Sequence, residues 1–145
     1  MLNIQDQELE EGVNNIKEQG TKTRFELDGE TDFIGRLALK ATEKLAETKS
    51  FEEMKQIVRQ EYVMPKRGKL IMWVLADEVN ERTSDPNQRY FIDHPITTKD
   101  GKVIYCTTQW AARELNRKEG KYVDGAFIRF AQELVKAGIF IRKAS

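Results

Sequence analysis

Apolar positions recur along the chain at two intervals, the 3.6-residue period of a helix and the two-residue period of a strand, and these divide it into elements. Phe33, Ile34, Leu37, Ala38, Ala41 and Leu45 fall at i, i+3, i+4 spacing, one core-facing stripe on a helix of about four turns. Thr31 or Asp32 can cap its start. Ser50, followed by Phe51, Glu52 and Glu53, has the form of a capping box and opens a second helix through Met54, Ile57 and Val58 to about Tyr62. The short Thr48–Lys49 link makes the two a helical hairpin. Upstream, Thr21 to Leu27 alternates polar and apolar as a strand does, and Asp28-Gly29 follows as a turn. Residues 1–20 carry only a thin stripe, Leu9, Val13 and Ile16 or Lys17, with Gly20 as a stop, and predict a weakly packed or frayed helix.

Beyond Pro65-Lys66-Arg67-Gly68, a break that is also a basic loop, Leu70 to Glu81 fits a helix through Ile71, Val74, Leu75 and Val79, although its first six residues would suit a buried strand. Thr83 to Asn87 is rich in turn formers. Arg89 to Asp93 reads as a strand. Ile96 to Thr98 and Val103 to Thr107 flank Asp100-Gly101, a strong hairpin signal. Thr108 can cap a helix over Gln109 to Arg117 with Trp110, Ala111 and Leu115 on its apolar side. Gly120 turns the chain, and a helix from about Asp124 to Ala137 presents Phe127, Phe130, Ala131 and Leu134, with Gly138 where a terminating glycine belongs. Ile139 to Arg142 closes as a strand beside Val103 to Thr107 or Arg89 to Asp93. The expectation is an α+β fold: a small antiparallel sheet packed against several helices, helix-turn-helix-like in its C-terminal part, with residues 21–145 as one domain.

Composition narrows the class. At 145 residues, 39% hydrophobic and 33% charged, the chain is long enough for one core and too apolar to be disordered. No apolar run approaches the roughly 20 residues of a membrane helix. The acidic start, MLNIQDQELEE, lacks the order of a secretion signal, and a lone cysteine excludes an internal disulfide, so a cytoplasmic chain is expected. Net charge is zero but uneven. Residues 1–60 hold 9 Lys and Arg against 13 Asp and Glu; residues 61–145 hold 15 against 11. A solvated surface explains such a contrast as readily as a basic face for an anionic partner does.

That basic face, if real, consists of Lys66, Arg67, Arg113, Arg117, Lys118, Lys121, Arg129, Gln132 and Lys136. In a helix-turn-helix, the helix bearing Arg129, Gln132 and Lys136 opposite its apolar stripe would be the reader, and the others would meet phosphates. Against it, the reader's start would hold Asp124, which faces phosphate badly. Asp93, Asp100 and Lys102 imitate the acid, acid-x-Lys order of metal-dependent nucleases, where two carboxylates hold Mg²⁺ and a Lys meets the attacked phosphate. An Asp at a turn tip explains Asp100 equally simply. Cys106 and His94 are the only Cys–His pair, on a strand and in a loop, with little to bring them together. The nine glycines are scattered singly, so no phosphate loop is present. Trp73 and Trp110 are better core anchors than ligand stackers.

Asp100 to Trp110 (DGKVIYCTTQW) and Phe127 to Ile139 (FIRFAQELVKAGI), with Phe25-Glu26-Leu27-Asp28-Gly29 and Ser50 to Met54 upstream, resemble a recurring C-terminal module of uncharacterised bacterial and mobile-element proteins, across about residues 24–142. The chain departs from it in a longer segment at Ala111 to Tyr122. The resemblance implies a shared fold and an origin in bacteria or phage, near mobile elements or defence systems. It implies no catalytic residues.

These readings favour a non-enzymatic binding or adaptor module over an enzyme. Its partner would be nucleic acid bound through the basic C-terminal face or, alternatively, a protein, a second copy of the chain included. No cofactor, metal or membrane is implied.

Overall fold

The computed structural model describes residues 24–60, 71–116 and 118–143. The expected N-terminal helix, the basic loop at Lys66 and Arg67, and Arg117 lie outside these residues. The α+β class holds: short antiparallel sheets pack against helices. Among the described residues no helix is long and apolar enough to cross a membrane.

Strand β1 (Arg24–Leu27) turns through Asp28 and Gly29, both at positive φ (53° and 81°), the geometry of a tight hairpin turn. A two-residue turn forces the next residues into register with β1, so Glu30–Phe33 is strand β2. Thr31 and Asp32 are therefore not helix caps. Helix α1 (Ile34–Thr48) begins without a side-chain cap, and Asp32 Oδ1 instead accepts the Phe33 N–H at 2.8 Å. Of the expected stripe, Leu37, Ala38, Ala41 and Leu45 are at most 1% exposed and Ile34 is half-buried, whereas Phe33 ends β2 and is 43% exposed. Helix α2 (Phe51–Ile57) carries the full Ser50–Glu53 capping box but ends at Ile57, short of Tyr62, because Val58 turns extended.

The helix expected over 70–81 is overturned. Its first half is strand β3 (Trp73–Leu75), followed by a 3₁₀ turn (Ala76–Glu78) and helix α3 (Val79–Arg82). Trp73 and Val74 are both buried, so this strand is covered on both faces, where periodicity cannot tell strand from helix. Pro86–Arg89 forms helix α4. Strand Arg89–Asp93 is not formed either. Only Tyr90 bridges, to Thr107, and its hydroxyl donates to the Ile71 carbonyl at 2.6 Å. Strands β4 (Ile96–Thr97) and β5 (Val103–Cys106) form the predicted hairpin, in the sheet order β3-β5-β4. With β5 flanked on both sides, the last strand pairs elsewhere.

The helix-turn-helix is also overturned. In place of a helix over Gln109–Arg117 stands a hairpin, β6 (Arg113–Asn116) and β7 (Lys121–Asp124). The Ala112 carbonyl accepts the Gly125 N–H at 2.8 Å and the Ala111 carbonyl accepts the Phe127 N–H at 3.0 Å. These long-range bonds use the carbonyls that a helix would direct four residues onward. Helix α5 (Ala126–Leu134) follows and closes through a 3₁₀ turn at Gly138, φ 76°. Strand β8 (Ile141–Lys143) then pairs with β1 in the order β2-β1-β8.

Helices α1 and α5 supply the core. Phe127 meets Phe25 at 5.1 Å between ring centroids, and Phe130 meets Trp73 at 6.1 Å and Trp110 at 4.9 Å. Burying each such ring contributes about 2–3 kcal/mol. One polar node sits among them. Thr42 Oγ1 accepts the Trp73 indole N–H at 2.9 Å and lies 2.7 Å from the Ala38 carbonyl oxygen, to which it donates.

Candidate functional site

The β6–β7 hairpin differs from the rest of the molecule. It is a two-stranded sheet of its own, and none of its described residues is fully buried. Its strands pair Arg113↔Asp124, Glu114↔Val123, Leu115↔Tyr122 and Asn116↔Lys121. Asn116 builds the tip. Its Oδ1 accepts the Lys118 and Glu119 N–H groups at 3.1 and 3.3 Å, its carbonyl accepts the Gly120 N–H at 2.8 Å, and Gly120 takes φ 65°.

Gly125 fixes the base. A Cβ there would lie 2.4 Å from the Ala111 carbonyl oxygen, so only glycine lets the Ala111–Ala112 backbone close against the start of α5.

Arg113 lies along this arm. Its Nη2 donates to the Tyr122 carbonyl at 3.3 Å, while its Nε is buried without a hydrogen-bond partner. Leu115 is 48% exposed, a large apolar side chain paired across the strands with Tyr122. Beside the arm's base, Thr108, Gln109, Trp110, Ala111, Glu114 and Ala126 line an open cleft of about 260 Å³.

Of the basic-face residues, the hairpin brings Arg113, Lys118 and Lys121 together. Glu114, Glu119 and Asp124 come with them, so with Arg117 the segment 113–124 carries a surplus of only one positive charge. Arg129, Gln132 and Lys136 lie on α5 and the 3₁₀ turn after it. Lys136 is engaged by Glu133 at 3.1 Å, and Arg129 is partly buried. Lys66, Arg67 and Arg117 lie outside the described residues.

Asp100 is exposed and engaged structurally. It accepts the Thr98 hydroxyl and, at 3.1 Å, the Phe51 N–H, tying the β4–β5 turn to the start of α2. The Thr98 hydrogen bond, helped by the Phe51 N–H, holds its carboxyl below the usual range. Asp93 is exposed, and among the described residues no three His, Cys, Asp or Glu side chains are grouped to hold a metal. Cys106 is fully buried, and burial pushes its thiol up to about 12, the direction opposite to a nucleophile's. His94 is exposed.

A second surface went unread in the sequence. On the outer face of the β2-β1-β8 sheet, Phe33 and Phe140 are 43% and 52% exposed, with Arg24 over the Phe33 ring. Glu26, Asp28, Gly29, Phe140 and Arg142 line a shallow groove of about 290 Å³ there. Leu115 and Phe140 were hidden because each had been given to an apolar helix face or a closing strand.

Comparison of the chain with protein-family models, with curated proteins and with solved structures finds no match.

Proposed function

We propose that the chain is a non-enzymatic binding module that engages a protein partner through the β6–β7 arm. The observation that carries this reading is the arm itself: a separate two-stranded sheet with no fully buried described residue and with Leu115 half in solvent. An isolated two-stranded hairpin is marginal in water, so the arm gains little from standing alone and much from a surface laid against it. Tyr122 and Arg113 are residue types that interface centres favour, and Leu115 adds exposed apolar surface beside them. Residues 113–124 carry four Lys and Arg against three Asp and Glu, a surplus of one, which favours a protein over a polyanion, whose affinity rests on a larger surplus of positive charge.

Photocrosslinking tests this. A benzophenone amino acid at Leu115 should capture a partner from cells of the source organism, and the same group at Val103, also exposed but in the other hairpin, should not. Equal capture from both positions, or from neither, refutes the arm as the contact.

Nucleic acid is the second reading. It is favoured by Arg113, Lys118 and Lys121, none of which is ion-paired among the described residues. Fluorescence anisotropy with short DNA and RNA across salt concentrations separates the two: affinity falling steeply with salt supports phosphate contact, and no binding at low salt ends that reading.

A further inference from the structure

In β6 local preference and observed structure disagree, and the disagreement turns on two carbonyl groups. The Ala111 carbonyl accepts the Phe127 N–H at 3.0 Å and the Ala112 carbonyl accepts the Gly125 N–H at 2.8 Å. In a helix the same carbonyls would accept the N–H groups of Leu115 and Asn116, four residues onward. The first set of bonds needs the Ala111–Ala112 backbone laid against the start of α5, and the second needs it coiled on itself. The residues of β6, Arg-Glu-Leu-Asn, include no β-branched or aromatic side chain. Ala111, Ala112, Arg113, Glu114 and Leu115 are all good helix formers, and Glu114 stands four residues before Lys118, the favourable order for a helical ion pair. Neither form stands on its own, since a helix of about two turns and a two-stranded hairpin are both marginal in water. Closure onto Gly125 and Phe127 decides between them. The chain has the reach for either form. A helix over residues 109–116 would be about 12 Å long, and residues 117–124 can span up to about 26 Å, so the helical form returns to Gly125 with α5 in place.

We propose that Gln109 to Asn116 is a two-state segment, the β6 strand of the arm in one form and a helix anchored at Trp110 in the other, with the Ala111 and Ala112 carbonyls changing partners between them. Trp110 holds the start of the segment in both, packed on Phe127 and Phe130 at 6.2 and 4.9 Å between ring centroids. Gly125 is the latch. Its φ of −85° and ψ of −176° are open to any residue, so glycine is required there only because a Cβ would come within 2.4 Å of the Ala111 carbonyl oxygen. A side chain at 125 therefore blocks the hairpin form while its own backbone still suits the start of α5. Two packings of one segment that differ by little form a bistable element, and a contact that prefers one of them shifts the populations by its difference in affinity. The switch stands whether or not the arm is a contact surface.

Nuclear magnetic resonance of the full chain tests it. Native β6 should give Cα secondary shifts of the negative, strand sign. Relaxation dispersion should reveal a minor form, about 0.1–10% populated, whose shifts at Ala112 to Leu115 have the positive, helical sign. Gly125→Ala should make the helical shifts dominant at these residues and leave those of β5 unchanged. Strand shifts that persist in Gly125→Ala overturn the switch. So do random-coil shifts, which would mean that the latch holds a segment with no second form. Should that variant fail to fold, Val123→Pro takes its place. Hydrogen-bonded pairs alternate in an antiparallel ladder, and the Gly125–Ala112 bond makes Glu114↔Val123 the next bonded pair. A proline at 123 removes that cross-arm N–H and leaves residues 109–116 unaltered, so it must give the same change of sign. If neither variant folds, the native chain decides, and the lack of a minor form with helical shifts overturns the switch.

Discussion

The β4–β5 and β6–β7 hairpins are built alike and situated oppositely. Each turns at a glycine of positive φ, Gly101 at 84° and Gly120 at 65°, and each has its turn held by an Asx side chain, Asp100 or Asn116. In the first, Ile96, Ile104 and Cys106 are buried, β3 covers the far side of β5, and Asp100 reaches the start of α2. In the second no described residue is fully buried, and among the described residues no third strand joins. Hairpin geometry is thus common to both, while stability is supplied from outside the hairpin. Where the fold supplies it the element is scaffold; where it does not, the element is free to bind.

The sharpest way to break this contrast is to hollow the first hairpin. Ile104→Ala should cost about 3 kcal/mol, transfer and cavity terms together, read as a lowered denaturant midpoint at unchanged slope. A loss no greater than that of an arm substitution would mean that β5 is not the scaffold. Next is the polar node behind β5. Thr42→Val keeps shape but strands the buried Trp73 indole N–H, and should cost about 2 kcal/mol. Stability unchanged in that variant would show that the indole finds another acceptor.

The two turns should also part with pH. Asp100 titrates and Asn116 does not. Asp100, through Thr98 and Phe51, and Glu53, through the Ser50 N–H and hydroxyl, both have folded pKa values below their ordinary ones. A lowered folded pKa gives stability that is present above the unfolded value, about 4, and lost as pH falls through the folded value. Melting temperature should therefore drop below about pH 4. Asp100→Asn should be less stable at neutral pH and fall less steeply in acid. A parallel pH profile for the variant would exclude Asp100 as a source of the dependence.

The same contrast explains what was legible in the sequence. Val103-Ile104-Tyr105-Cys106 is β-branched and aromatic, follows Asp-Gly and alternates inward and outward, so local preference and tertiary role agree. Arg113-Glu114-Leu115-Asn116 combines good helix formers after a plausible cap, and its strand state depends on Gly125 and Phe127 drawing the Ala112 and Ala111 carbonyls from a distance. Trp73-Val74-Leu75 was lost for a different reason, burial on both faces, which erases periodicity. Helices α1 and α5 were legible because their stripes are local and α2 because its capping box is; α2's end was not, because nothing local signals that Val58 turns extended. Of the basic residues, sequence identified the side chains but not their neighbours, and Glu114, Glu119, Asp124 and Glu133 decide what those cations can do.

The smallest effect is the most discriminating. Leu115→Ala removes a side chain that is 48% in water, so it should change stability by less than about 0.5 kcal/mol, although Leu→Ala in a core costs several times that. Native-state hydrogen exchange on the same protein should show the Val123 amide, which bonds across the arm, opening at far lower free energy than amides of β5, which require global unfolding. If Leu115→Ala instead lowers stability by 2 kcal/mol or more, or if Val123 is protected like Ile104, the arm is part of the core's cooperative unit. It would then need no partner to account for it, and the distinction between scaffold hairpin and binding hairpin would fail at the residue on which it depends.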